Sequence, residues 1–254
     1  MCESTALKGE TIILTGIPKS DEPERLVRQY GGEPVSFPLI RVQERADEDL
    51  QFIHRLNEYD WLIFTSQNGV KYFGQKLVRF NIAVNDVNHP KIAAVGSETE
   101  KALKEIGFQV HFKPSVFSAD RFVVEFPDLA DAGERCLFLR GSLAKETIKE
   151  GLINEVDEWT VYETVTDSEG PKKLIEFLAH TPKCTITFSS PSCVEVFVTE
   201  VIPHIVLEGY TIAAIGHVTE DALLTAGLPV HVKPEKYTMT SMIEKIAKLK
   251  GDSK

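Results

Sequence analysis

Two short polar turns each occur twice in this 254-residue chain, and their residue types suit the binding of small anions. Thr65-Ser66-Gln67-Asn68 follows an apolar run ending at Phe64, and recurs as Ser189-Ser190-Pro191-Ser192 after Phe188. Gly96-Ser97-Glu98-Thr99 follows Ala93-Ala94-Val95, and recurs as Gly216-His217-Val218-Thr219 after Ala213-Ala214-Ile215. Each turn lies where an apolar strand ends and a helical pattern begins. A helix N-terminus has N–H groups without intrahelical partners and about half a positive charge. Gly96 and Gly216 suit a tight turn, Ser97 suits an N-cap, and a threonine hydroxyl in the first turn adds a donor. That combination suits a carboxylate or a phosphate. The plain alternative is that the Ser and Thr residues only cap their helices.

Other chemistry-bearing residues are few. Arg140-Gly141-Ser142 follows an apolar strand, which places a cation at a strand end to meet an anion or to lie solvated. Tyr162 ends a strand and serves either as packing or as a phenol donor. His217 stands where the other copy has Ser97, so a capping or surface role is expected of it. His111 and His231 match each other inside strand patterns, which predicts a structural role. No nucleophile stands beside an obvious base. GxGxxG, GxxxxGK[ST], HExxH and GxSxG are all absent, so dinucleotide, ATP, zinc-protease and hydrolase readings lack their motifs.

The net charge of −10 argues against a general nucleic-acid binder. It leaves room for a small anionic ligand, because local donors outweigh a global field at short range. With 43% hydrophobic and 26% charged residues the composition is that of a globular protein. No apolar run approaches a membrane span, and Met1-Cys2-Glu3-Ser4 shows no secretory pattern. A cytoplasmic protein is expected. Cys2, Cys136, Cys184 and Cys193 form no CxxC pair, which predicts reduced thiols rather than a disulfide or metal site.

The elements that must position these turns alternate along the chain. Apolar runs of four or five residues are separated by helical patterns of about ten, which predicts parallel sheets covered on both faces by helices. The repeat extends to His111-Phe112-Lys113-Pro114 and His231-Val232-Lys233-Pro234. Ser66 and Ser190 are 124 positions apart, and Gly96 and Gly216 are 120 apart. Such self-similarity means two copies of one unit. The first stretch supplies two strands, the middle five and the last three. Five make a flavodoxin-like sheet, so the first and last stretches combine into one domain with the middle inserted. The expected fold is therefore α/β, with two flavodoxin-like parallel-sheet domains. One is discontinuous, 1–37 plus 167–254; the other is inserted, 42–162. Linkers 38–41 and 163–166 pair as two strands, with a cleft between the domains.

The ordered set of motifs resembles the uroporphyrinogen-III synthase family. The residues that carry it are Phe64-Thr65-Ser66-Gln67-Asn68-Gly69-Val70, Gly96-x-x-Thr99-x-x-Ala102-Leu103, Leu139-Arg140-Gly141, Val161-Tyr162-Glu163-Thr164, Phe188-Ser189-Ser190-Pro191-Ser192, and Gly216-x-x-Thr219-x-x-Ala222-Leu223. Glu100 and Glu220 depart from the small residue common after the threonine. The resemblance implies a cofactor-free, metal-free lyase that cyclises hydroxymethylbilane, inverting the terminal ring and losing water. It implies Tyr162 as proton donor near the leaving hydroxyl. It implies substrate contacts from Thr65, Ser66, Gly96, Ser97, Thr99, Arg140, Gly141, Ser189, Ser190, Gly216, His217 and Thr219. A monomer, in transient contact with hydroxymethylbilane synthase, is expected. The competing readings are a non-enzymatic module that closes on a small anion, and a regulatory scaffold on the same fold.

Overall fold

The computed structural model describes residues 5–17 and 20–252; Cys2 lies outside them. The chain divides into two compact units, one of Met1–Arg41 with Val165–Lys254 and the other of Val42–Thr164. Among the described residues nine strands form two sheets: β1 (Thr11–Leu14), β2 (Glu33–Ser36), β3 (Ile40–Glu44), β4 (Trp61–Phe64), β5 (Lys91–Ala94), β6 (Cys136–Gly141), β7 (Val156–Thr166), β8 (Thr185–Phe188) and β9 (Thr211–Ala214).

In the discontinuous unit the sheet order is β2-β1-β8-β9, all parallel. In the inserted unit β7-β6-β4-β5 is likewise parallel, with β3 added beside β7. Matched through the repeat, β4 and β5 correspond to β8 and β9. β6 and β7 then take the places of β1 and β2. The neighbours are the same in both sheets, but the two outer strands precede the repeated part in one unit and follow it in the other. The units are circular permutations of one arrangement.

Both sheets are dry on two faces, as parallel sheets require. Leu62 and Phe64 pack with Phe73, Leu137, Leu139 and Trp159 on one face of β4. Trp61 and Ile63 pack with Phe122, Phe126 and Phe138 on the other. Ile13, Ile186 and Phe188 face one core of the discontinuous unit, and Ile12 and Leu14 face the other with Met242 and Ile246.

The crossings between units run through β3 and β7. Asp167 N–H donates to the Leu39 carbonyl at 2.9 Å and Arg45 N–H to the Val161 carbonyl at 3.2 Å. Gln43 Nε2 donates to Glu163 Oε1 at 2.6 Å. Partner numbers fall on one strand as they rise on the other, so the pair is antiparallel.

Several expected elements differ in extent, each for a local reason. The strand patterns around His111 and His231 reduce to single bridges, Ala93 with Phe112 and Ala213 with Val232. In each copy a histidine ring takes the amide where the ladder would continue. Ile92 N–H donates to His111 Nδ1 at 3.0 Å, and Ile212 N–H to His231 Nδ1 at 2.9 Å. Pro114 and Pro234, without amides, close the other end. The helix that follows β6 is short, Thr147–Gly151, against the helical patterns of about ten expected. The Ala144 carbonyl is taken instead by the Arg140 guanidinium. The helix that follows β8 is α-helical over Pro191–Val196, then widens to a π-turn over Phe197–Val201.

Candidate functional site

The repeated turns fall into two kinds. The serine turns satisfy their own helices. Ser66 is extended (φ −149°, ψ 153°) and its Oγ accepts from Gly69 N–H at 3.2 Å, capping the helix Gln67–Arg79. Ser190 does the same for Cys193 N–H at 3.3 Å, with Pro191 at the first helical position. The glycine turns do not. Ser97 is the first helical residue rather than the cap, which is Gly96; likewise Gly216 caps His217–Thr225. Neither helix start has a side-chain cap. The expected Ser97 cap is thus corrected, and the first amides of both helices have no side-chain acceptor among the described residues. Ser97 and His217 are exposed beside them, while Thr99 and Thr219 are buried at 4% and 3% exposure. Neither threonine hydroxyl has a hydrogen-bond partner among the described residues. Helix starts left uncapped in this way are able to take an anion.

Two glutamates that break the family pattern have a visible purpose. Glu100 pairs with Lys113 and Glu220 with Lys233, the lysines of the two His-x-Lys-Pro segments. The pairs tie each glycine turn to its edge segment. A few residues further on, Phe117 and Tyr237 lie over the turns. A Cβ on Gly216 would meet the Tyr237 ring at 2.8 Å, so glycine is required there; a Cβ on Gly96 would lie 3.8 Å from Phe117. His217 rests against Tyr237, ring centroids 5.2 Å apart. The sequence reading missed both aromatics, although Lys113 to Phe117 matches Lys233 to Tyr237 at the same 120-residue spacing.

Arg140 departs from its expected place. It is buried, with 9% exposure. Its guanidinium is held by Glu158, by Glu146 at 2.9 Å and by the Ala144 carbonyl. The expected free cation is instead internal, and it braces the strand end that carries Gly141. A bulge interrupts the β6–β7 register at this point, pairing Gly141 with Tyr162.

That bulge seats the half-buried Tyr162. Its phenol oxygen lies 2.9 Å from Ser66 Oγ. A Cβ on Gly141 would stand 2.4 Å from Tyr162 Cζ and 2.7 Å from its hydroxyl, so glycine leaves the space the ring fills. Tyr72 stacks on Tyr162 at 5.8 Å and 21°, anchored by its own hydroxyl to the Val42 carbonyl at 2.9 Å. The structure therefore brings Tyr162, Ser66, Gly141 and, unforeseen, Tyr72 together. Thr65 is half-buried beside them. In the other unit, Ser189 fills the space above Gly16, where a Cβ would lie 2.1 Å from its Oγ.

Cys136, Cys184 and Cys193 are free and buried. Burial pushes the Cys136 and Cys184 thiols up to about 12, so neither is a nucleophile at neutral pH. Among the described residues no group of three or more His, Cys, Asp or Glu could hold a metal ion. No described helix is long and apolar enough to cross a membrane.

Comparison with known proteins adds to this geometry. Residues 21–244 match the family model described as Uroporphyrinogen-III synthase HemD. The chain is 30% identical over 230 residues to "Porphyrin biosynthesis protein HemD" of Ruminiclostridium josui, covering 89% of this chain but 45% of that longer one. It is 29% identical over 229 residues to "Uroporphyrinogen-III synthase" of Chlorobaculum parvum, covering 88% and 92% of the two chains. Among solved structures, a mutant uroporphyrinogen III synthase from the extremely thermophilic bacterium Thermus thermophilus superimposes with a TM-score of 0.67 at 18% identity. It covers 96% of this chain and 100% of that one, a likeness of fold. With most of its length inside the family model, the chain belongs to the uroporphyrinogen-III synthase HemD family.

Proposed function

We propose that this protein closes hydroxymethylbilane to uroporphyrinogen III, inverting the terminal pyrrole ring and releasing water. The observation that carries this reading is the seated phenol of Tyr162, half-buried inside β7 at the bulge where β6 ends and held by Ser66 within a chain of this family.

The chemistry fits the residues present. The linear substrate is already reactive. Loss of its terminal hydroxyl leaves an azafulvene cation, which the substituted carbon of the last ring attacks to give a spiro intermediate; that carbon's bond to its original methylene then breaks, and the freed methylene, now an azafulvene on the neighbouring ring, bonds to the inverted ring's other α-carbon. Tyr162 donates its proton to the departing hydroxyl, which leaves as water. The proton lost when the closed ring regains aromaticity restores the phenol. The protein's larger task is to hold a near-attack conformer, since free substrate closes without inversion. The substrate's many carboxylates are bound by Gly96, Ser97 and Thr99 and by Gly216, His217 and Thr219, through uncapped amides and unengaged hydroxyls. Thr65, Ser189 and the Ser192 amide that follows Ser190-Pro191 add donors. Arg140 and Gly141 act from behind, by shaping the seat of Tyr162. The same reading takes the protein as a cytoplasmic monomer that receives its unstable substrate through transient contact with hydroxymethylbilane synthase.

No metal or organic cofactor enters this scheme. Substrate generated in situ from porphobilinogen by its deaminase should disappear faster with this protein present, and dialysis against EDTA should leave that rate unchanged. A rate abolished by chelation and restored by a divalent ion would refute the scheme.

A further inference from the structure

Ser66 and Ser190 are the same cap in two copies, yet their hydroxyls meet different groups. Ser190 Oγ donates to Cys193 Sγ at 3.3 Å. Ser66 Oγ meets the phenol of Tyr162 at 2.9 Å. A serine hydroxyl has one proton and two lone pairs. Gly69 N–H occupies one lone pair of Ser66. The proton is therefore free to be donated to the phenol oxygen.

We infer that Ser66 is a positioning residue for Tyr162, donating to the phenol oxygen as its proton departs, rather than a binder of substrate carboxylate. The inference rests on the assignment of Tyr162 as proton donor. Before transfer, a bond from Ser66 to the phenol oxygen leaves the phenol proton directed elsewhere, available to the leaving hydroxyl. After transfer, the phenolate can only accept, so Ser66 must donate. The bond becomes charge-assisted at the moment the reaction needs it. Gly69 N–H, in the first turn of a 13-residue helix, polarises the serine in the same direction. The ring does not swing away from this bond, because Gly141 and Tyr72 confine it. In the other unit no phenol among the described residues meets Ser190, whose hydroxyl remains a cap.

A double-mutant cycle with hydroxymethylbilane generated in situ tests this. Ser66→Ala should lower kcat about tenfold, as expected for losing a hydrogen bond to a charged group, with KM nearly unchanged. In a Tyr162→Phe background the same change should have no further effect on kcat. Ser66→Asp keeps an N-cap acceptor, so it should hold the parent melting temperature. It should stay slow, because a carboxylate only accepts from the phenol and repels a phenolate. Ser66→Ala that raises KM and spares kcat would overturn the inference and make Ser66 a carboxylate binder. Equal, independent losses in parent and Tyr162→Phe backgrounds, or a Ser66→Asp variant as fast as the parent, would overturn it too. Tyr162→Phe at the parent rate would remove the proton donor itself, a failure of the underlying reading that the cycle separates from the others.

Discussion

Replacing Tyr162 with phenylalanine should lower kcat about 10²-fold and leave KM within about twofold. General acid catalysis contributes roughly 10²–10⁴. The low end applies because the substrate loses its hydroxyl without any enzyme. The binding turns are untouched by the change, and phenylalanine fills the space over Gly141 and against Tyr72. Thr219→Ala provides the contrast. It removes one hydroxyl among many carboxylate donors, so it should raise KM several-fold and alter kcat less than the tyrosine change. Steady-state rates on both variants decide the matter. A larger loss of kcat in Thr219→Ala than in Tyr162→Phe would contradict the account.

The second large effect concerns stability. Lys76 is fully buried in the inserted unit. Its ammonium donates to Asp49 Oδ1 at 2.6 Å, to the Arg45 carbonyl at 2.6 Å and to Glu44 Oε1 at 3.0 Å. All three of its donors are engaged. Arg79 adds bonds to Asp49, at 3.3 Å, and to Glu44. Lys76→Met leaves the Asp49 carboxylate buried with one weak partner, which should cost about 3–5 kcal/mol. Chemical denaturation measures it; a loss below about 1 kcal/mol would contradict this reading. Adding Asp49→Leu should recover part of the loss, because the orphaned charge is then gone. Burial alone would raise the Glu44 carboxyl, but the bonds from Lys76 and Arg79 outweigh it and hold it below the ordinary 4.5. Its share of the stability is therefore complete above pH 4.5 and is lost as the pH falls through the lowered value. The network fastens β3 to the helix Gln67–Arg79. That helix carries the Ser66 cap and the Tyr72 ring, so the buried lysine also sets the frame of the phenol.

The parts of this molecule legible in its sequence are those encoded by short-range patterns. Trp61–Phe64 and Thr185–Phe188 are continuous apolar runs, and each leads directly into a polar turn. The repeat made the equivalence of Ser66 with Ser190 and of Thr99 with Thr219 visible without coordinates. Edge segments were overread, because His111 and His231 look like strand residues but their rings stand in for a ladder carbonyl, accepting the amides of Ile92 and Ile212. The Ser97 cap was overread as well, since a glycine in extended conformation fills the same place. Long-range pairings were not legible at all. Arg140 meets Glu158 through the register of β6 on β7, and no local signal marks it. Ser66 and Tyr162 lie 96 residues apart in the chain. Their contact depends on the bulge at Gly141, and the glycine signals that bulge only after the structure shows which ring occupies its missing side chain.

The central claim is that this protein directs ring inversion, so the isomer composition of the product tests it most directly. Hydroxymethylbilane would be generated in situ, the products oxidised, and the uroporphyrin isomers separated by chromatography. Without the protein the closure gives isomer I. Adding it should shift the product to isomer III, in proportion to protein over the working range. Isomer I alone, from protein shown to be folded, would contradict the claim and leave a two-unit module that binds small anions without transforming them.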